Sequence, residues 1–232
     1  MDIDDILTTI THENHDDDDG PSSTGANGTA SAERDLQDLT RAWVAERVGP
    51  EILPFREGVV GRVVERLRGQ VEQVEMQTGN MDPKTNFRLI IIQTEVERVK
   101  FLVRSYLRAR IAKIDKYALH ILRTPALRSC LSPPELQYLT QHQALLHHHY
   151  LSSFLHSFPD KLRRLDDTAG GISMIEQPDL DVAVFCRVLR DVQDPVVIQG
   201  TDTVFELRRG GVHVVRYSAV RDAILRGDVE LI

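Results

Sequence analysis

Cysteine is scarce in this 232-residue chain: Cys130 and Cys186 are the only two, and they fall in different predicted elements. A disulfide framework is thereby excluded, and with no signal-like segment ahead of them the expectation is a reducing cytosolic or nuclear compartment. Long apolar runs are also missing. The densest, Ile90-Ile91-Ile92, is bracketed by charge within a few positions, so no bilayer span is expected. Residues 1–19 hold eight acids and neither Lys nor Arg; removing those acids from the formal charge of −7 leaves +1 for the rest. A body so nearly neutral lacks the basic surplus on which duplex binding rests.

The motifs of common catalysts are missing as well. The chain has no Gly-rich phosphate loop, no Gly-x-Ser-x-Gly elbow, no His-Glu-x-x-His and no Cys-x-x-Cys. His147, His148 and His149 are adjacent, and consecutive helical positions point about 100° apart. They therefore cannot converge on one metal ion, and His142 brings no Cys pair with it. The expectation is a protein with no enzymatic activity, no metal and no cofactor.

What is present is helical periodicity. Leu36, Leu39, Trp43, Val44 and Val48 predict a helix from about Ser31 that stops at Gly49-Pro50, where proline cannot supply the next backbone donor. Val60, Val63, Val64, Leu67, Val71 and Val74 predict a second, from about Pro54 to Gln77. The turn signal Gly79-Asn80-Met81-Asp82-Pro83 then leads into a very long helix, from about Asn86 to Leu122. Its buried stripe reads Val96, Val99, Val103, Leu107, Ile111, Ile114, Ala118 and Ile121. Arg110, three residues from Leu107 and four from Ile114, projects into that stripe, where an unpaired guanidinium would be costly to desolvate. A carboxylate partner is expected. At roughly 1.5 Å per residue this helix reaches about 50 Å, more than one small core can cover, so part of its surface should face another domain or chain. Ser132-Pro133-Pro134-Glu135 reads as the start of a fourth helix running to about Ser157.

After residue 178 the period changes. Val182–Leu189, Val196–Ile198, Val204–Leu207 and Val212–Tyr217 are short β-branched runs, with Gly210-Gly211 expected to turn a hairpin between the last two. Ser218 is expected to cap one short helix through Leu225, Gly227 to end it, and Val229–Ile232 to close as a strand with Leu231 and Ile232 both buried. The fold expected is α+β: an all-α N-terminal domain of about four to five helices, one very long, followed by a small β-rich domain. The boundaries are a disordered acidic tail at 1–30 with a docking peptide at 2–9, a helical domain at 31–158, a linker at 159–179 with its joint at Asp166–Gly171, and the β-rich domain at 180–232. So small a sheet is marginal unless its open face is covered, by the helices or by a partner.

The run from Glu97-Arg98-Val99-Lys100-Phe101 through Arg104-Ser105-Tyr106-Leu107-Arg108-Ala109-Arg110 to Lys116-Tyr117 resembles the central helix of the Sld-five subunits of the GINS complex, a heterotetramer of eukaryotic DNA replication. A second block is similar to the same family: Pro178-Asp179-Leu180-Asp181, Val184-Phe185-Cys186-Arg187-Val188 and the terminal Val229-Glu230-Leu231-Ile232. The resemblance covers nearly all of the chain after residue 30 and points to a fungal member. It implies a nuclear, non-enzymatic scaffold subunit with three Psf subunits as partners. The assembly would join the MCM motor ring and its Cdc-type cofactor in the replicative helicase, meeting DNA only indirectly and no membrane. It also implies that the N-terminal Ile3, Asp4, Asp5, Ile6 and Leu7, whose apolar triplet has i, i+3, i+4 spacing, is a peptide for a trimeric replisome adaptor hub. The remaining candidate partner contacts are Arg104, Tyr106, Arg108, Arg110 and Tyr117 on the long helix, and Val215, Tyr217, Leu231 and Ile232 at the C-terminus. The competing reading is an independent nucleic-acid-binding module built on the basic long helix, through Lys100, Arg104, Arg108 and Lys113.

Overall fold

The structure, a computed structural model, describes residues 24–77, 83–167, 173–192, 196–197 and 204–232. The chain forms two compact units, Met1–Arg34 and Asp35–Ile232. Of the first, only residues 24–34 are described, and they are helical. The docking peptide at 2–9 lies outside the described residues.

Seven α-helices are seen among the described residues: α1 (Thr24–Val48), α2 (Glu57–Gln77), α3 (Pro83–Lys116), α4 (Ala118–Arg123), α5 (Pro125–Arg128), α6 (Pro133–Ser153) and α7 (Tyr217–Arg226). The last lies among five strands, β1 (Ala183–Val188), β2 (Val196–Val197), β3 (Val204–Phe205), β4 (Val212–Arg216) and β5 (Val229–Leu231). The architecture is mixed α+β, helical first and with a small antiparallel sheet near the C-terminus.

Three apolar clusters organise it. Leu39 of α1, Val60 and Val63 of α2, and Val103 and Tyr106 of α3 form one. Ile52, Ile114, Ala118, Ile121, Leu127 and Leu139 form a second, where α4 to α6 fold back on the end of α3. The third lies under the sheet: Val184, Cys186 and Val188 of β1, Tyr217, Val220, Ala223 and Ile224 of α7, and Val229 and Leu231 of β5. Ala45 and Val48, at the end of α1, pack against this third cluster.

Several boundaries differ from the periodicity. α1 begins at Thr24 rather than Ser31, because once a helix is nucleated each further residue adds a backbone bond even where its side chain is small or polar. α2 starts at Glu57, since the preceding residues are held in an extended segment whose Phe55 N–H donates to the carbonyl of Cys130 at 3.0 Å. The long helix ends at Lys116 instead of running to Leu122, with Tyr117 (φ −105°, ψ 23°) at the break. Periodicity could not show that break: Ile114, Ala118 and Ile121 stay buried on both sides of it. Within α3 the expected stripe is buried at Val96, Val103 and Ile114 and so is Arg110, but Ile111 is 39% exposed and Tyr106, outside the expected stripe, is buried.

The sheet has the order β4-β1-β5, all antiparallel, with Phe185 opposite Val214 and Cys186 opposite Leu231. The expected hairpin between the last two runs does not form. β3 pairs with β2, and β4 pairs with β1. Gly210 (φ +83°) and Gly211 instead fold the chain onto the end of β1, where Gly210 N–H donates to the Val188 carbonyl at 2.8 Å and Val188 N–H to that of Gly211 at 2.9 Å. α7 begins at Tyr217, one residue before the expected cap. Its first amides find the chain before β1: Tyr217 N–H donates to the Val182 carbonyl and Ser218 N–H to that of Leu180, both at 2.9 Å. Gly227, at φ +79°, closes the helix in the left-handed region that favours glycine.

Candidate protein–protein interface

The position that stood out in sequence is the centre of the helical region. Arg110 is wholly buried and uses all five of its N–H donors: Nε and Nη2 to Glu135 at 2.7 and 3.1 Å, Nη1 to Glu46 and the Leu53 carbonyl at 2.9 and 2.6 Å, and Nη2 to the Cys130 carbonyl at 3.0 Å. Its guanidinium also lies over Phe55 and Tyr106, 5.2 and 5.7 Å from the ring centroids. Burial works against its charge, but Glu135 and Glu46 outweigh burial and raise its pKa. Glu46 is shared, accepting also from Lys113 at 2.9 Å, and Lys113 donates on to the Glu51 carbonyl at 2.7 Å. Burial leaves Lys113 with a lowered pKa despite that partner. Glu135 makes one arm of a capping box at the start of α6, accepting from Ser132 N–H at 2.8 Å. The predicted carboxylate partner is thus a pair, and both belong to this chain.

A second buried carboxylate, Asp35 of α1, draws α2 in. It accepts from Arg62 at 2.7 to 3.2 Å and from Arg66 at 2.5 Å, and the Arg62 hydrogen bonds are the largest cause of its lowered pKa. These fixed charges hold α1, α2, α3 and α6 in register and leave the outer faces free.

Those outer faces carry the candidate interface. On α3, Phe87 (63% exposed), Ile90 (59%) and Phe101 (60%) fall within about 60° of one another at 100° per residue. Arg104 and Arg108, both exposed, continue the same face. In the sheet, alternation turns Phe185 of β1 and Val212 and Val214 of β4 outward, and Phe185 and Val214 stand directly opposite each other. Of the terminal pair expected to be buried, Leu231 is, but Ile232 is 39% exposed: it lies one residue past the end of β5, held by its N–H to the Phe185 carbonyl with its side chain on the outer face. Arg187 and Glu230 form a rim pair on this face at 3.4 Å. Exposed apolar side chains grouped in this way mark contact surfaces more often than isolated ones do.

The expected contact residues divide accordingly. Arg104, Arg108 and Ile232 lie at the surface, and Tyr117 and Val215 are half-buried, Tyr117 beneath the Lys116 ammonium at 5.1 Å. Tyr106, Arg110, Tyr217 and Leu231 are interior to this chain and offer a partner no surface: Tyr106, Tyr217 and Leu231 complete its apolar clusters, and Arg110 is enclosed by Glu46 and Glu135. Sequence reasoning missed Phe87, Ile90, Phe101, Phe185, Val212 and Val214. For the first three the signal was there, an apolar set at helical spacing opposite the buried stripe. The basic run on α3 is largely neutralised in place, with Arg98 on Glu95 at 2.9 Å and with Lys100 and Arg104 both on Glu97, at 2.9 and 3.1 Å. Among the described residues no cluster of three or more His, Cys, Asp or Glu is placed to hold a metal ion, and no helix is long and apolar enough to cross a membrane.

Comparison with known proteins decides the family. Residues 62–154 match the family model described as the GINS complex protein helical bundle domain, and residues 178–232 match that of the DNA replication complex GINS protein SLD5 C-terminus. The chain is 50% identical over 235 residues to the DNA replication complex GINS protein SLD5 of Chaetomium globosum, with all of both chains covered. The chain belongs to the SLD5 family of GINS proteins. It is also similar to the sld5 protein of Schizosaccharomyces pombe, 44% identical over 204 residues (88% of this chain, 94% of the relative), and to SLD5 of Debaryomyces hansenii, 35% identical over 248 residues (100% and 98%). The two matched segments of this SLD5-family chain take in most of α2 and all of α3 to α6 on one side, and β1 to β5 with α7 on the other.

Proposed function

We propose that this chain is a non-enzymatic structural subunit of a nuclear GINS heterotetramer, assembled with three Psf subunits. In this reading the assembly joins the MCM ring and its Cdc-type cofactor in the replicative helicase, where it braces the motor and contacts DNA only indirectly. The single observation that carries the reading is the separation of roles on α3. One face is locked to the chain's own carboxylates through Arg110, while the opposite face presents Phe87, Ile90 and Phe101 to whatever packs outside. Such a helix is built to be part of a larger bundle. The sheet adds a second apolar surface around Phe185.

Within this reading, residues 31–158 serve as the assembling helical domain, 159–179 as a linker and 180–232 as the docking β-rich domain. Ile3, Ile6 and Leu7, with Asp4 and Asp5, form the peptide for the adaptor hub. Burying those three apolar side chains contributes roughly 1.5 to 3 kcal/mol each, and ordering the segment takes back about 2 to 5 kcal/mol. One copy would bind weakly, as suits a trimeric hub that gains from several attachments.

Co-expression with the three Psf subunits tests the proposal. A soluble 1:1:1:1 assembly by native mass measurement is the expected result. A monomer that ignores the Psf subunits and shifts a DNA probe with a steep salt slope would overturn it. Alanine at Ile3, Ile6 and Leu7 together should abolish hub binding while leaving assembly and melting temperature unchanged.

A further inference from the structure

The route from the helices to the sheet is longer in sequence than in space. Along the chain it runs through residues 154–182, whose described part meets the helices through two exposed ion pairs, Arg123–Asp166 at 2.5 Å and Lys116–Glu176 at 3.3 Å, and buries Leu155 and Ile175. Such pairs hold a position weakly, because water competes for both partners. The close approach occurs elsewhere, at residues 45–53. Gly49 sits where an added Cβ would lie 3.0 Å from the Ala45 carbonyl oxygen, 3.6 Å from Leu231 and 3.8 Å from the Tyr217 ring. The chain can pass between α1 and the sheet cluster there because this position has no side chain.

Glu51 follows two residues later, 5% exposed, and it faces the sheet rather than the helices. Its carboxylate accepts from the Tyr217 hydroxyl at 2.8 Å and takes Arg221 in a two-point clasp, Nε at 2.5 Å and Nη2 at 2.8 Å. Both partners are on α7. The same residue's carbonyl accepts from Lys113 of α3, whose ammonium is also held by Glu46, itself bound to Arg110. A continuous chain of polar contacts therefore runs Glu135–Arg110–Glu46–Lys113–Glu51–Arg221, from α6 to α7, passing at Glu51 from its backbone carbonyl to its carboxylate. Apart from Arg221, at 39%, none of these side chains is more than 12% exposed.

The geometry points to Glu51 as a latch: its carboxylate fixes the sheet and α7 against the helical region, and releasing it frees the sheet to change orientation while both regions stay folded. Three features separate this from ordinary packing. The two-point clasp on a carboxylate is directional, so it sets an angle as well as a distance. The apolar contact beside it involves Ala45, Val48 and Gly49 on the helical side, and the other ion pair between α1 and β5, Arg41 with Glu230 at 3.3 Å, has an exposed cation and is the weaker tie. Each region also has an apolar cluster of its own that does not include Glu51. The latch consequently decides where the outward face around Phe185 is aimed, which goes beyond the proposed function and does not depend on it.

Distance measurement between spin labels in the full chain tests this. Labels at Gln137→Cys on α6 and Arg209→Cys before β4, in a Cys130→Ser background, should give one narrow distribution for the parent. Glu51→Ala should broaden it, with the displaced population raised by at least about tenfold, since a charge-assisted clasp and a buried hydroxyl bond are both lost. Circular dichroism should show helix content unchanged. If Glu51→Ala instead loses its helix content, Arg221→Ala decides, because it removes the clasp and leaves Glu51 bonded to Tyr217. A broadened distribution in Arg221→Ala then supports the latch. A parent distribution already broad overturns it, as do folded variants with the parent's narrow one.

Discussion

Replacing Arg110 by alanine removes one side chain and strands two carboxylates. In the parent, Glu46 and Glu135 each lie within 3.1 Å of the guanidinium, and the carbonyls of Leu53 and Cys130 are bonded to it as well. Breaking a buried pair from one side costs about 3 to 5 kcal/mol, because the remaining charge has lost its solvent and its partner together. Two mitigating contacts survive: Lys113 still reaches Glu46, and Ser132 N–H still reaches Glu135. The cost should nevertheless stay in that range, since the lost aromatic contacts with Phe55 and Tyr106 and the vacated volume act in the same direction. Total stabilities are only about 5 to 15 kcal/mol, so the variant is expected to be marginal. For a unit of this size each kcal/mol shifts the melting temperature by about 2 to 4 °C, giving a drop of about 6 to 20 °C. The assay is thermal and urea unfolding, with Arg108→Ala as the exposed control, expected within about 0.5 kcal/mol of the parent. Neutralising the stranded acids, as in Arg110→Met with Glu46→Gln and Glu135→Gln, should recover part of the loss. If Arg110→Ala melts with the parent, or the neutralised triple variant is no better than Arg110→Ala, the buried-charge argument is wrong.

Three further outcomes follow from the same geometry. Asp35 has its folded pKa held below the ordinary 3.8 by Arg62 and Arg66, so it contributes stability that is present above about that pH and is lost as pH falls through the lower folded value; unfolding titrations of Asp35→Asn should lack this part of the parent's acid sensitivity, and identical profiles would refute it. Changing Phe101 and Ile90 together to aspartate should block assembly with partner subunits, measured by gel filtration of co-expressed chains, while the change in unfolding free energy stays within about 1 kcal/mol because both are exposed. Deleting Val229–Ile232 removes the buried Val229 and Leu231, worth roughly 1.5 to 3 kcal/mol each, and should speed proteolysis throughout the sheet region; unchanged digestion there would count against a closing role for β5.

Much of this protein is written locally. The helices announce themselves because a stripe at steps of three and four has meaning only on a 3.6-residue helix, and a guanidinium inside such a stripe demands an acid whatever the fold. Val182–Leu189 is equally plain as a strand, being short and β-branched, but the run is apolar on both faces and only the structure buries Val184, Cys186 and Val188 while turning Phe185 outward. What periodicity lacks is any record of interruption or of distance. It continues unbroken across Tyr117, because the break keeps the buried face in phase. Nor does it choose strand partners: Gly210-Gly211 marks a turn in either topology, and only the docking of that turn on Val188 pairs β4 with β1 instead of β3. The identity of the acids that answer Arg110 was equally out of reach. Glu46 and Glu135 lie 64 and 25 residues away, and neither a place along a helix, as for Glu46, nor a place in a first turn, as for Glu135, points to Arg110. The sequence by itself determined which side chains must be buried and that a charge would need company. The tertiary structure alone decided which charges meet, because a guanidinium's partners are set by where whole helices come to rest, and it alone turned Phe185 outward.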